Sequence, residues 1–178
     1  MFHFRYASLS KIFSRNSGVI PDPLSQTRDA WSRRGQRKLD EADYRGERFK
    51  DHPGQMKGNN DILCLTRPDI IAELHDAYYG AGADISETNT FSATSIAQAD
   101  YQAQAAVWDI NFEGARLARA AADRWTAREP GKPRFVAGSM GPLNVMLSMS
   151  SDVNDPGARK VTFEQVYDAY TEQVRALH

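Results

Sequence analysis

The stretch Gly82-Ala83-Asp84-Ile85-Ser86-Glu87-Thr88-Asn89-Thr90-Phe91 constrains this chain more than any other part of it. It reads as a short buried strand that stops in a cluster of polar side chains. Helical patterns flank it on both sides. Parallel β/α proteins gather their function at the carboxyl ends of strands. The stretch therefore points to a parallel sheet with a site at its end.

The neighbouring sequence supports that reading. Residues 40–49 are dense in charge and predict a surface loop or a short helix, and Lys57-Gly58-Asn59-Asn60 is a turn signal. The apolar run Ile62-Leu63-Cys64-Leu65 predicts a buried strand. Thr66-Arg67-Pro68-Asp69 marks a helix start, with proline in the first turn and an acid that complements the dipole. Ile70, Ile71, Leu74, Ala77 and Tyr78 continue that helix, and Gly80 and Gly82 stop it.

After the strand, Val107, Ile110, Gly114, Leu117, Ala121 and Trp125 form one helical stripe. Arg134-Phe135-Val136-Ala137-Gly138 predicts another buried strand, closed by the turn Ser139-Met140-Gly141-Pro142. A polar loop over residues 148–159 follows. Thr162 and Gln165 match a capping box, and Phe163, Val166, Tyr167, Tyr170, Val174 and Leu177 give a last amphipathic helix. Strand and helix alternate three times, which predicts a parallel sheet with right-handed crossovers. The final helix has no strand after it to cover its apolar face, so the expectation is an incomplete piece of a larger fold.

Composition narrows the function classes. The chain has 178 residues, 41% hydrophobic and 25% charged, which fits one globular domain. No apolar run is long enough to span a membrane, so no membrane partner is expected. A lone cysteine, Cys64, excludes an internal disulfide and a thiolate cluster, and favours a reducing, cytoplasmic location. Residues 1–38 hold eight Lys or Arg against two acids, a balance of +6; the whole chain is at −1, so the other 140 residues carry −7. The chain changes character near Leu39. The basic arm is open to three readings: a targeting segment, a disordered arm, or sequence foreign to the natural protein. The short pairs Arg33-Arg34 and Arg37-Lys38 read as solvated tail, and no nucleic-acid partner is expected.

Chemistry can come from two strand ends. At the first, Glu87 suits a ligand ammonium and Asn89 a carboxylate or hydroxyl, with Thr88 between them. The alternative is that Asn89 and Thr90 cap the next helix while Glu87 pairs with a Lys or Arg. At the second, Ser139 to Pro142 is either a cradle of backbone N–H groups for an anion or an ordinary βα turn. Cys64 lies in an apolar run, so burial and a raised pKa are expected. His3, His52, His75 and His178 are scattered without metal spacing, and His75 reads as structural or exposed. No GxGxxG, GxSxG or CxxC pattern is present.

From Leu39 onward the chain resembles the homocysteine-binding module that opens cobalamin-dependent methionine synthase. Five motifs in one order carry the resemblance. They are Leu39-Asp40-Glu41-Ala42-Asp43-Tyr44-Arg45-Gly46-Glu47-Arg48-Phe49, Lys57-Gly58-Asn59-Asn60-Asp61, the stretch from Gly82 to Phe91, Ala137-Gly138-Ser139-Met140-Gly141-Pro142, and Asp152-Val153-Asn154-Asp155-Pro156. The resemblance implies an α/β fold, a partial TIM (β/α)8 barrel of roughly the first half, with residues 39–178 as an incomplete homocysteine-binding domain. It implies a substrate site at Glu87, Thr88, Asn89, Ser139 and Gly141, with Glu87 and Asn89 by the amino-acid end of homocysteine. In the family, zinc holds the homocysteine sulfur as a thiolate, methylcobalamin gives the methyl group, and methyltetrahydrofolate reloads it. The partners implied are homocysteine and the folate and cobalamin modules.

This sequence departs from the family in three places. The family's three zinc-binding cysteines lie on later strands than this chain contains, and Cys64 matches none of them. Asp29-Ala30-Trp31-Ser32-Arg33-Arg34-Gly35 stands where the family has a glycine-rich first strand, which favours the foreign-sequence reading of residues 1–38. Ser86 replaces a usual apolar residue, and its hydroxyl needs a partner. The expectation is a chain without a catalytic residue or bound metal of its own, inactive alone. Two alternatives are a non-catalytic half-barrel that binds a partner, and a fragment of a betaine- or S-methylmethionine-dependent homocysteine methyltransferase.

Overall fold

The structure, a computed structural model, describes residues 39–148, 154–155 and 157–178. The basic segment 1–38 lies outside the described residues, as does part of the polar loop over 148–159. The described helices are α1 (Glu41–Arg45), α2 (Leu63–Thr66), α3 (Pro68–Gly80), α4 (Ser95–Gln98), α5 (Val107–Arg128) and α6 (Phe163–Leu177); the strands are β1 (Ile85–Glu87) and β2 (Phe135–Ala137).

Local sequence explains most of these elements. Asp40 and Asp43 cap α1 reciprocally, each side chain taking the other's backbone N–H at 3.1 Å. Within α1, Arg45 reaches out to the Gly54 carbonyl at 2.8 Å, and Glu41 accepts from the Met56 and Lys57 amides at 2.8 and 2.7 Å. The charged first motif thus organises the loop that leads into the Lys57-Gly58 turn. Helix α3 begins at Pro68 and ends at Gly80, and Gly82 turns the chain into β1 with φ +95°. Thr162 and Gln165 form the expected capping box on α6.

The expected strand at Ile62-Leu63-Cys64-Leu65 is a correction: residues 63–66 form the single helical turn α2. Ile62, Leu63 and Cys64 are all buried there. A short apolar run is satisfied equally by a buried strand or a buried turn. Here the Leu65 and Thr66 amides bond the Ile62 carbonyl and the Arg67 amide bonds the Leu63 carbonyl, so the run satisfies its backbone within itself.

The two strands pair in parallel, with Ile85 opposite Phe135, Ser86 opposite Val136 and Glu87 opposite Ala137. Tyr79 ties α3 to the sheet by donating its hydroxyl to the Phe135 carbonyl at 2.8 Å. Arg134, buried at the amino end of β2, reaches the Ala83 carbonyl and the Glu129 carboxylate. Tyr79, Ala121, Ala122, Trp125 and Val136 make a small core between α3, α5 and the sheet. A larger core joins Met56, Ile62, Leu63, Ile71, Ile110 and Leu117.

One burial expectation fails. Phe135 was expected inside a buried strand but is 54% exposed, and Ile85 beside it is 44% exposed. Among the described residues, helices cover one face of the sheet and leave the face bearing Ile85, Glu87 and Phe135 open. Helix α6 buries Ala169, Gln173 and Ala176 and leaves Phe163, Tyr167 and Val174 of its apolar stripe exposed, in keeping with the uncovered face expected of it. From that buried face Gln173 reaches Asn111 of α5 at 3.2 Å. No helix among the described residues is long and apolar enough to cross a membrane.

Candidate functional site

The parallel register brings the two predicted strand ends together. The Thr88 amide donates to the Ala137 carbonyl at 3.0 Å, which carries the pairing one residue past β1. The Ser139 amide then donates to the Thr88 hydroxyl at 2.8 Å. Thr90 Oγ1 donates to the Ser139 carbonyl at 2.8 Å and lies 2.7 Å from Thr88 Oγ1. Thr90 spends its proton on that carbonyl, so Thr88 must donate to Thr90. The sense of the small network is fixed. Both threonines are buried. Thr88, expected at the ligand, is a clasp between the strand ends.

Glu87 is exposed on the open face of the sheet. Its Oε2 lies 3.4 Å from the Ser139 hydroxyl. No Lys or Arg among the described residues pairs with it. Asn89 is half-buried, and its Nδ2 donates to the Asn60 carbonyl at 2.8 Å. This bond joins the Lys57–Asp61 turn to the strand end. Nothing among the described residues donates to Asn89 Oδ1. Neither Asn89 nor Thr90 caps a helix; Thr94 caps α4.

The Ser139–Pro142 turn does not present a cradle of free donors. The Ser139 amide is taken by Thr88, and the Gly141 amide donates to the Phe91 carbonyl at 2.9 Å. A Cβ on Gly141 would stand 2.6 Å from that carbonyl oxygen and 2.7 Å from the Phe91 ring. Glycine is there for close approach of two loops. The Gly141 carbonyl accepts from the Tyr170 hydroxyl at 2.8 Å, which fastens the turn to α6.

Beneath the strand end, Cys64 Sγ lies 3.4 Å from the Asn89 carbonyl, to which it donates. It is 2% exposed, and burial pushes the thiol up to about 12. His75 is buried too, with Nδ1 2.7 Å from Ser86 Oγ. The Ser86 hydroxyl therefore has the partner that its place in the strand requires. Sequence reasoning missed the pairing because His75 and Ser86 belong to different elements and nothing local to either names the other.

Residues 29–178 match the family model described as homocysteine S-methyltransferase. The chain belongs to the homocysteine S-methyltransferase family. The match begins at Asp29, ten residues before Leu39. Among solved structures, the chain is similar to the homocysteine methyltransferase MmuM from Escherichia coli. The metallated form is 28% identical over 65% of this chain and 40% of that one, with a TM-score of 0.49. The oxidized form is 22% identical over 88% of this chain and 53% of that one, with a TM-score of 0.55. The latter is a likeness of fold. This chain thus spans about half the length of the structures it matches.

The zinc that the family resemblance implies raises the question of a metal. Among the described residues, no three His, Cys, Asp or Glu side chains gather to hold one. The single thiol is buried, protonated and turned to the Asn89 carbonyl. The described donor set does not fit a thiolate-rich zinc site.

Proposed function

We propose that this chain forms the homocysteine-binding part of a homocysteine S-methyltransferase of the cobalamin-dependent methionine synthase type, built as part of a (β/α)8 barrel. The observation that carries this reading is the pair of open acceptors at the end of β1. The Glu87 carboxylate and Asn89 Oδ1 have room for donors, while the neighbouring Thr88 hydroxyl and the Ser139 and Gly141 amides are already engaged. An α-ammonium group brings three donors and a charge that a carboxylate complements. The Ser139 hydroxyl steadies Glu87, and Gly141 lets the Phe91 loop close over the base of the site.

Methyl transfer needs more than this cradle. The sulfur must lose its proton before it attacks the methyl group. The described residues offer no group suited to hold that thiolate. The chain alone is therefore proposed to bind the amino-acid end without turning it over. Methylcobalamin as donor, methyltetrahydrofolate as its source and a cytoplasmic setting belong to the same proposal.

The test is calorimetric titration of the full chain with L-homocysteine and with 4-mercaptobutyrate, which lacks the amino group. Homocysteine binds weakly. Glu87→Ala loses roughly tenfold or more in affinity, the worth of one charge-assisted hydrogen bond. The analogue without the amino group fails to bind. Equal affinity for both ligands, or an unaffected Glu87→Ala variant, would remove the assignment. Stoichiometric zinc with methyl transfer by this chain would overturn the claim that it is inactive alone.

A further inference from the structure

Five consecutive carbonyls after the site, from Asn89 to Ala93, each accept from a different part of the chain. Asn89 takes the Cys64 thiol of α2, and Phe91 takes the Gly141 amide beyond β2. Ser92 takes Gln98 Nε2 of α4 at 3.2 Å, and Ala93 takes Asn111 Nδ2 of α5 at 2.7 Å. Thr90 takes Gln173 Nε2 of α6 at 2.8 Å, across 83 positions of sequence, and also the Ala93 amide at 3.2 Å. Gln98, Asn111 and Gln173 are all fully buried.

Buried amides are costly wherever they lack partners, and an apolar core has no need of them. Here three of them converge on one loop. Their directions are settled by the partners. Asn111 Nδ2 gives its protons to the Ala93 and Val107 carbonyls, so its oxygen faces Gln173. Gln173 Nε2 therefore donates twice, to Thr90 O and to Asn111 Oδ1 at 3.2 Å. Its own Oε1 is buried with no partner among the described residues. A flipped amide would set oxygen against two acceptors.

We infer that Gln173 is a positioning residue for the amino-acid site, acting through Thr90. Gln173 holds the Thr90 carbonyl, and the Thr90 hydroxyl holds Ser139 and Thr88. Residues 87–89 precede this anchor directly. Loss of the Gln173 donor frees the loop and lets Glu87, Asn89 and Ser139 drift apart. The inference rests on the reading of that strand end as the homocysteine site.

The experiment compares the full chain with its Gln173→Met and Gln173→Glu variants by residue-resolved hydrogen exchange and homocysteine titration. In Gln173→Met, the Ala93, Ser139 and Gly141 amides exchange about tenfold faster relative to amides in the middle of α5, the effect of one lost hydrogen bond. Homocysteine affinity falls by a similar factor. In Gln173→Glu, affinity recovers as pH falls, since a protonated carboxyl regains a donor for Thr90. Exchange that rises in step throughout α5 and the loop, or does not change, would overturn the inference. So would unchanged affinity in Gln173→Met, or a Gln173→Glu pH profile that follows the parent chain. If the parent chain binds no homocysteine, the binding reading falls, and the exchange data alone decide whether Gln173 sets the loop.

Discussion

Ser139 N–H and Thr88 Oγ1 meet at 2.8 Å, and that bond ties the end of β2 to the end of β1. Among the described residues two strands of three residues each are paired, so the ladder itself is short. The Thr88 hydroxyl extends it by accepting from Ser139 and donating to Thr90. Thr88→Val keeps the branched shape but strands the buried Ser139 amide. The expected loss is about 1–3 kcal/mol, the cost of an unsatisfied buried donor. Urea unfolding measures it. Thr88→Ser retains the hydroxyl and should lose less. Equal losses in both variants would point to packing and away from the hydrogen bond.

His75 makes stability depend on pH. Burial holds its imidazole down to about 4, with Arg124 acting the same way and Asp76 opposing. Its pKa in the folded state lies below the ordinary 6.5, so between these values the unfolded chain binds the extra proton. The stabilisation from a neutral His75 is full above pH 6.5 and is lost as pH falls towards 4. The loss is on the order of 3 kcal/mol at 1.36 kcal/mol per pH unit. Between pH 7 and 4.5, the parent chain should lose more unfolding free energy than His75→Gln, which has no titrating ring but can still bond Ser86. Identical losses would clear His75 of this role.

What the sequence made legible was local. The cap at Thr162, the proline start of α3 and the α5 stripe each depend on residues within a few positions of one another, and each stands in the structure. The end of β1 was legible as a position, because a strand that stops in polar residues needs no tertiary information. The role of each residue there was not. Thr88 joins the two strand ends through its hydroxyl, and the Ser139–Pro142 turn, open in sequence to an anion cradle or an ordinary βα turn, has its Ser139 and Gly141 amides engaged. Those differences come from contacts across about 50 residues of sequence. The same holds for α6. Its buried face carries Ala169, Gln173 and Ala176, and Gln173 meets Asn111 of α5 across 62 positions of sequence.

Gly114 sets two effects of opposite sign against each other. It lies in the middle of α5, where alanine would favour the helix by about 1 kcal/mol. A Cβ there would stand 2.6 Å from Thr90 Cγ2 and 3.4 Å from Cys64 Sγ. Thr90 is a stiff, branched residue whose hydroxyl is held at both ends. It cannot swing aside without breaking the clasp. Overpacking of this kind costs about 1–3 kcal/mol, so Gly114→Ala should be net destabilising. Thermal unfolding decides it, and a raised midpoint would show that Thr90 yields easily. Gly131 lies in a loop with nothing near its Cβ position, and Gly131→Ala serves as the unhindered comparison.

Cys64 gives a direct report on whether the core beneath the site stays closed. Its thiol is buried and raised to about 12, against an ordinary value of 9.0. At pH 8 the folded chain then holds only about one thiolate in ten thousand, whereas the unfolded chain holds about one in ten. Thiol-reactive dyes should therefore label the native protein slowly, at a rate that rises with urea in step with unfolding. The Asn89→Ala variant removes the carboxamide that sits 3.6 Å from the sulfur. That variant should label faster without a matching fall in global stability, because the cover over Sγ is lost locally. Fast labelling of the parent chain in the absence of denaturant would mean that the strand end opens as a unit, and the open acceptors at Glu87 and Asn89 would not then be held in one place.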